Sequence, residues 1–310
     1  MILCCGEALI DMITAPVLTG GEGFVPHVGG AVFNTAIALG RLGAKAGMLT
    51  GLSTDMFGQQ LAEALKASHV DTSHVVRSDR PTTLAFVQLK DGHATYSFFD
   101  ELSAGRMLAP DDLPELKSEI SALYFGGISL AHGPCASAYA ALLKTQAPQR
   151  AIMIDPNIRA QFITDVSSYR SRLDGMMGHA DIIKVSDEDL NWLIPGQGAL
   201  AGKAAALLEK GAAAVIVTRG AEGATGYLEN GREVFVPAVR TEVVDTVGAG
   251  DTFNAGLLAN LSATGKLTKP KVAQLSPDAL VRAMEYGARV ASLTVSRAGA
   301  NSPWASELRT

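Results

Sequence analysis

Cysteine is scarce. The 310 residues hold three, Cys4, Cys5 and Cys135, too few to form a disulfide framework in a chain this long, and none stands in a C-x-x-C pair. A reducing compartment is therefore expected. Cys4 and Cys5, inside the apolar start Ile2-Leu3-Cys4-Cys5, read as small core residues rather than metal or redox centres. No basic leader opens the sequence, which meets Glu7 and Asp11 almost at once, so no export signal is read. The longest apolar run, 212–217, is far below the roughly 18 residues a spanning helix needs, so a soluble, cytoplasmic protein away from membranes is expected. Charge of neither sign dominates: 26 Lys and Arg against 31 Asp and Glu give a net charge of −5, and without a basic stretch a nucleic-acid binder is disfavoured. The six histidines show no metal-ligand spacing, H-E-x-x-H is absent, and no Walker loop occurs. The nearest imitation, 198–204, is one residue short and lacks the Ser/Thr, so it reads as helix surface.

What is present is a regular alternation. Short apolar runs at 2–5, 46–49, 122–125, 151–154, 181–185 and 213–217 read as strands. Helix-like spacing of apolar positions falls between them at 33–42, 57–67, 135–145, 167–178 and 200–208. Such a βαβα order predicts an α/β fold, a mostly parallel sheet with helices on both faces and ligands at the carboxyl ends of its strands. Two segments, about 12–28 and 82–100, break the rhythm with β-formers, and Asp91-Gly92 marks a hairpin in the second. Together they predict a small accessory sheet acting as a lid. Further β-type runs at 223–228 and 234–243 flank Asn230-Gly231, another hairpin signal. Two helices are expected at 250–261 and 277–295, joined by a surface loop.

The richest segment is Asp245-Thr246-Val247-Gly248-Ala249-Gly250-Asp251-Thr252-Phe253-Asn254-Ala255-Gly256. Small residues opening a helix leave backbone N–H groups and the positive dipole end free to meet a phosphate. Asp251 stands in the first turn, where a carboxylate could take a proton from an attacking hydroxyl. A helix start with a stabilising acid is the plainer reading, and the two balance on this segment alone. Gly29-Gly30-Ala31-Val32-Phe33-Asn34-Thr35-Ala36, with Arg41-Leu42-Gly43 beyond it, also opens a helix; its glycines admit a ligand to the backbone, and Asn34 offers a donor and an acceptor. Polar clusters at strand ends, 6–11, 155–159, 184–189 and 218–223, converge on one sheet edge. A nicotinamide dehydrogenase would need Gly-x-Gly-x-x-Gly directly after the first strand, where this chain has Gly6-Glu7-Ala8.

These two glycine-led segments, in this order and spacing, resemble the two signatures of the ribokinase-like (PfkB-type) carbohydrate kinases. The resemblance spans nearly the whole chain, and Gly6 to Asp11 and Asp155 to Arg159 look most like the fructokinase branch. It implies one domain over 1–310, a Rossmann-like three-layer α/β/α core with a β lid, and ATP-dependent phosphorylation of a sugar's primary hydroxyl, fructose first. A 2-keto-3-deoxygluconate kinase and a non-catalytic sugar or nucleotide sensor remain the alternatives. By the same resemblance Asp251 is the base, and the Gly248, Ala249 and Gly250 amides form an anion hole. Asp11, Gly29, Gly30, Asn34 and Asn157 hold the sugar, Arg159 stands near sugar or phosphoryl, and Tyr96 or Phe98 forms an apolar wall. Lys184, Ser186, Thr218, Gly220 and Gly223 face the nucleotide's phosphates and ribose, while Ala288, Ala291 and Asn301 flank its adenine. Magnesium would accompany ATP, and a potassium ion would sit at Asp245, Val247, Thr294 and Gly299. A homodimer would form through the lid. The family's Asn-x-x-Glu is replaced here by Ser186-Asp187-Glu188-Asp189, leaving Asp189 to orient magnesium-bound water and marking a subfamily.

Overall fold

The computed structural model describes residues 1–18, 20–90 and 93–308, with backbone alone at 88–90 and 93–96. The chain runs β1 (Ile2–Cys5), β2 (Leu9–Pro16), β3 (Glu22–Gly29), α1 (Ala31–Arg41), β4 (Ala46–Leu49), β5 (Gly51–Ser53), α2 (Met56–Ala67), β6 (Val76–Ser78), β7 (Leu84–Lys90) and β8 (His93–Phe99). It continues with β9 (Ala122–Gly126), α3 (Cys135–Gln146), β10 (Ala151–Asp155), α4 (Val166–Met177), β11 (Ile182–Ser186), α5 (Asp187–Leu193), α6 (Leu200–Leu208) and β12 (Ala214–Thr218). Last come β13 (Ala224–Leu228), β14 (Glu233–Val236), α7 (Ala249–Ala263), α8 (Lys269–Val272) and α9 (Pro277–Val295).

Eight strands form the main sheet in the order β14-β13-β12-β11-β10-β9-β1-β4. Those from β12 to β4 are parallel, and the β13–β14 hairpin adds an antiparallel edge. Both faces are covered, which is why β1 is apolar throughout rather than alternating with polar residues. Ile2 and Cys4 join the core that contains Phe33, Leu39 and Leu257. Leu3 and Cys5 point the other way, into the core with Tyr139, Leu173 and Val215. The expected α/β layering with helices on both faces is what the chain forms, and among the described residues no helix is long and apolar enough to cross a membrane.

A second sheet, ordered β3-β2-β7-β8, stands apart from the first. It spans Leu9–Gly29 and Leu84–Phe99, wider at its amino-terminal part than the 12–28 read from sequence, because Leu9 and Ile10 already pair with Gly29 and Val28. The Asp91-Gly92 turn lies outside the described residues. Elsewhere the chain departs from its pattern for local reasons. The run 234–243 stays in a strand only to Val236, where Pro237, with no N–H to give the ladder, ends it. α5 is too short to show periodicity and is set by a cap, with Ser186 Oγ accepting from the Asp189 N–H at 2.9 Å. The loop before α9 contains the short α8. Lys203, read as helix surface, is buried, its ammonium donating to Asn191 Oδ1 at 2.7 Å and to the Gly196 carbonyl at 2.9 Å.

Candidate functional site

At the carboxyl ends of β1, β9, β10 and β11 the chain leaves a cavity of about 330 Å³, bordered on the small-sheet side by Leu9, Asp11 and Phe98. The amino termini of α1 and α7 open into it, through Gly30, Ala31 and Asn34 and through Gly248, Ala249, Gly250 and Asp251. A larger cavity of about 620 Å³ lies on the other side of the α7 start, lined by Thr218, Gly220, Gly223, Phe253, Ala288 and Ala291 among others. Thr246, Ala249 and Gly250 border both. The glycine-rich turn is therefore the wall across which a group in one cavity meets a group in the other.

Asp251 is 7% exposed. Its Oδ2 accepts from Asn34 Nδ2 at 2.9 Å, and its carbonyl accepts from Thr35 Oγ at 3.2 Å, so α1 fixes both the side chain and the backbone of the acid. Burial pushes the Asp251 carboxyl up to about 7; the negative charge of Asp155 adds to the rise, while the Asn34 bond and the Lys184 charge oppose it. A carboxyl poised near neutrality beside two helix amino termini suits proton abstraction from a hydroxyl.

Gly248 sits at φ 78° in the left-handed region, and a Cβ there would stand 2.7 Å from the Ala300 Cβ. Only glycine makes this turn at this depth. The Ala249 amide is partly engaged, donating to the Thr246 carbonyl at 3.3 Å. The turn is stapled from below: the Val244 N–H donates to the Val295 carbonyl at 2.8 Å, and the Asp245 carboxylate accepts from Val247 N–H at 3.0 Å and from Gly299 N–H at 2.8 Å.

Beneath the cavity lies a buried polar network. Asp155 Oδ2 accepts from Lys184 Nζ at 2.9 Å and from Asn254 Nδ2 at 2.7 Å, and Asn254 also donates to the Tyr124 hydroxyl at 3.0 Å. The Lys184 ammonium lies within 3.4 Å of where a Gly250 Cβ would stand, directly under the glycine turn. Arg159 Nη1 donates to Asn157 Oδ1 at 2.6 Å, and Asn157 itself is left-handed at φ 43°. Burial raises Asp11 to about 6, and its carboxylate occupies the space a Gly29 side chain would need.

The structure thus brings Asp11, Gly30, Asn34, Phe98, Asn157, Arg159, Lys184, Val247, Gly248, Ala249, Gly250 and Asp251 to one cavity, and Thr218, Gly220, Gly223, Ala288 and Ala291 to the other. Gly29 lies just beneath Asp11. The Tyr96 side chain lies outside the described residues. Ser186, Asp189, Asp245, Thr294, Gly299 and Asn301 line neither cavity. Asn301 accepts from Arg41 Nη1 at 3.2 Å; Ser186 caps α5; and Asp189 accepts from the Ile158 N–H at 3.2 Å, with burial and the neighbouring Asp155 charge raising it to about 6. Thr294 is buried within α9, its hydroxyl bonded to the Val290 carbonyl. Two polar residues went unassigned in the sequence. Glu7, within the polar cluster at 6–11, accepts from the Ala31 N–H at 3.0 Å and the Ser129 N–H at 3.3 Å, and so holds the start of α1. Asn254 is three residues after Asp251, on the same helix face, and that spacing was the available signal.

Among the described residues no three His, Cys, Asp or Glu side chains stand together as a metal cage. The Asp245 carboxylate, with each oxygen bonded to one N–H and retaining acceptor capacity, suits a weakly held monovalent ion beside the glycine turn.

The profile of the pfkB family carbohydrate kinases matches residues 1–307. A fructokinase of Rhizobium leguminosarum bv. trifolii is 52% identical over 280 residues, 90% of this chain and 85% of that protein. A crystal structure of fructokinase with bound ATP from Xylella fastidiosa superposes with a TM-score of 0.91 at 28% identity, covering 99% of this chain and 96% of that one. A fructokinase from Vibrio cholerae O395 in fructose, ADP and calcium ion bound form superposes with a TM-score of 0.82 at 25% identity, over 96% and 94% of the two chains.

Proposed function

The chain belongs to the pfkB family of carbohydrate kinases, and from that premise we propose that it transfers the γ-phosphoryl of ATP to the primary hydroxyl of fructose, giving fructose 6-phosphate. The observation that carries this reading is Asp251, buried, bonded to Asn34 and set at the turn shared by two cavities of sugar and nucleotide size. The sugar takes the smaller cavity, held by Asp11, Asn34 and Asn157 under Phe98. ATP takes the larger, its adenine against Ala288 and Ala291. Asp251 accepts the hydroxyl proton as the oxygen attacks the γ-phosphorus and ADP departs. The α7 amino terminus, with Lys184 beneath it and Arg159 across the cavity, holds the charge that develops on the transferred oxygens. Magnesium bound with ATP supplies charge neutralisation at the phosphates, and Asp189 is the carboxylate we assign to its water shell. One domain over 1–310 performs this reaction, with the small sheet as its lid. A coupled assay of ADP release over a panel of hexoses and sugar acids tests the reading; no sugar-dependent ADP release would end it.

Fructose is expected to outrun 2-keto-3-deoxygluconate by at least about tenfold in kcat/KM, a difference of roughly 1.4 kcal/mol. The sugar cavity is lined by Glu7, Asp11 and Asp251, which repel a carboxylate. Of its cations, Lys184 is already paired with Asp155, and Arg159 donates to Asn157. Arg106, just after the small sheet in sequence, pairs with Asp100 at 2.8 Å and does not line this cavity. The opposite order of kcat/KM would reassign the substrate.

Potassium is expected to activate severalfold, by stiffening the turn that Asp245 already braces. Equal rates in potassium and in tetramethylammonium at one ionic strength would exclude this. The small sheet leaves Phe24, Val25, Val28 and Phe99 exposed, which supports pairing of two copies through the lid. A sedimentation mass of one chain would rule that pairing out.

A further inference from the structure

The motif Arg41-Leu42-Gly43 and the residue Asn301 have no place in the reaction just described, yet they meet. Arg41, the last residue of α1, donates from Nη1 to the Ser302 carbonyl at 2.7 Å and to Asn301 Oδ1 at 3.2 Å. Its Nε donates to Ser68 Oγ at 3.3 Å, and its guanidinium lies 5.5 Å from the centroid of the Trp304 ring. One side chain therefore gathers the segment that follows α9, more than 250 residues away in sequence.

That segment is the outer wall of the glycine turn. Ala300 fills the space beside Gly248, Gly299 donates to the Asp245 carboxylate at 2.8 Å, and the end of α9 holds Val244 and Asp245 through the Val295 carbonyl. At its other end the same helix α1 carries Asn34 and Thr35, which hold the side chain and backbone of Asp251. From Asn34 to Arg41 is seven residues, about 10 Å of rigid helix. α1 thus fixes the base directly and the wall of the anion hole through Arg41, and so sets the distance between them.

The geometry points to Arg41 as a positioning residue for phosphoryl transfer: it clamps residues 299–302 against Gly248 and keeps the α7 amides aimed at the group that Asp251 activates. This rests on the kinase reading above. Arg41 touches neither cavity, so its removal leaves sugar contacts in place while the amides drift from their target, and misplacement of this kind costs up to about a hundredfold in rate.

The test compares Arg41→Met, Arg41→Lys, Asn301→Ala and the Arg41→Met/Asn301→Ala double variant in steady-state kinetics at 25 °C. The assay uses the sugar that the wild type phosphorylates fastest, with melting temperatures measured beside it. Arg41→Met is expected to lower kcat about ten- to a hundredfold with the sugar KM within twofold. Arg41→Lys, which keeps one donor to the Ser302 carbonyl, recovers most of that loss. Asn301→Ala lowers kcat a few-fold alone and adds nothing to Arg41→Met, because both act through one contact. An unchanged kcat with only a lower melting temperature would overturn the proposal, as would a loss carried mainly by the sugar KM or full additivity in the double variant. Should Arg41→Met fail to fold, Asn301→Ala, whose side chain is exposed, and Arg41→Lys decide by the same kcat and KM split. If fructose is not phosphorylated but another hexose is, the substrate reading fails while this comparison proceeds on that hexose.

Discussion

Asp251→Asn is expected to fold, bind nucleotide with near-normal affinity and turn over about a hundred- to ten-thousandfold more slowly, the usual contribution of a positioned general base. Asparagine keeps the shape and still offers an oxygen to Asn34 Nδ2, which stands 2.9 Å from Oδ2 in the wild type, so the loss isolates proton abstraction. The pH profile carries the same signature. With the carboxyl raised to about 7 by burial, kcat/KM of the wild type falls about tenfold per pH unit below that value as the base is protonated, and the residual activity of the variant lacks this limb. The stability effect runs the other way. A carboxyl whose folded pKa lies above its unfolded one favours folding at low pH, and that advantage is lost as pH rises from about 4 through about 7. Relative to Asp251→Asn, the wild type should therefore melt progressively lower between pH 4 and pH 8. A variant with wild-type turnover, or a wild type whose kcat/KM is flat from pH 5 to 8, would remove Asp251 from the mechanism.

Gly248→Val is expected to cost about a hundred- to a thousandfold in kcat, the scale of losing one well-aimed oxyanion donor. The substitution is strained twice, by φ 78° and by a Cβ 2.7 Å from that of Ala300, so the turn must move and the α7 amides move with it. Asp11, Asn34 and Asn157, which we propose hold the sugar, lie on other elements and stay in place, so the sugar KM should change little. Thermal unfolding and sugar-induced stabilisation check that the rest of the fold persists. A near-normal kcat in a folded variant would show that the turn's conformation is not what holds the transferred phosphoryl.

What the sequence determined by itself was the layered fold and the place of the acid. Apolar runs of four to six residues alternating with amphipathic stretches leave few options besides a covered parallel sheet, because each run is too short for a helix and too apolar for an exposed strand. Small residues followed by Asp251 at a helix start place an acid beside free backbone amides wherever the helix lies. Local chemistry did not reach further. The family resemblance places Asn301 beside the adenine, yet Arg41, far off in sequence, bonds it at the end of α1. The near-neutral carboxyl of Asp251 depends on burial and on Asn34, Asp155 and Lys184, three residues on three separate elements. Which glycine contacts are tight is likewise a matter of what packs against them: Ala300 beside Gly248 and the Asp11 carboxylate over Gly29. Hydrogen-bonding periodicity and turn chemistry act over a few residues and can be read along the chain. Desolvation, charge coupling and the walls of a cavity arise between segments that meet only once the chain has folded, and those are what the tertiary structure decided.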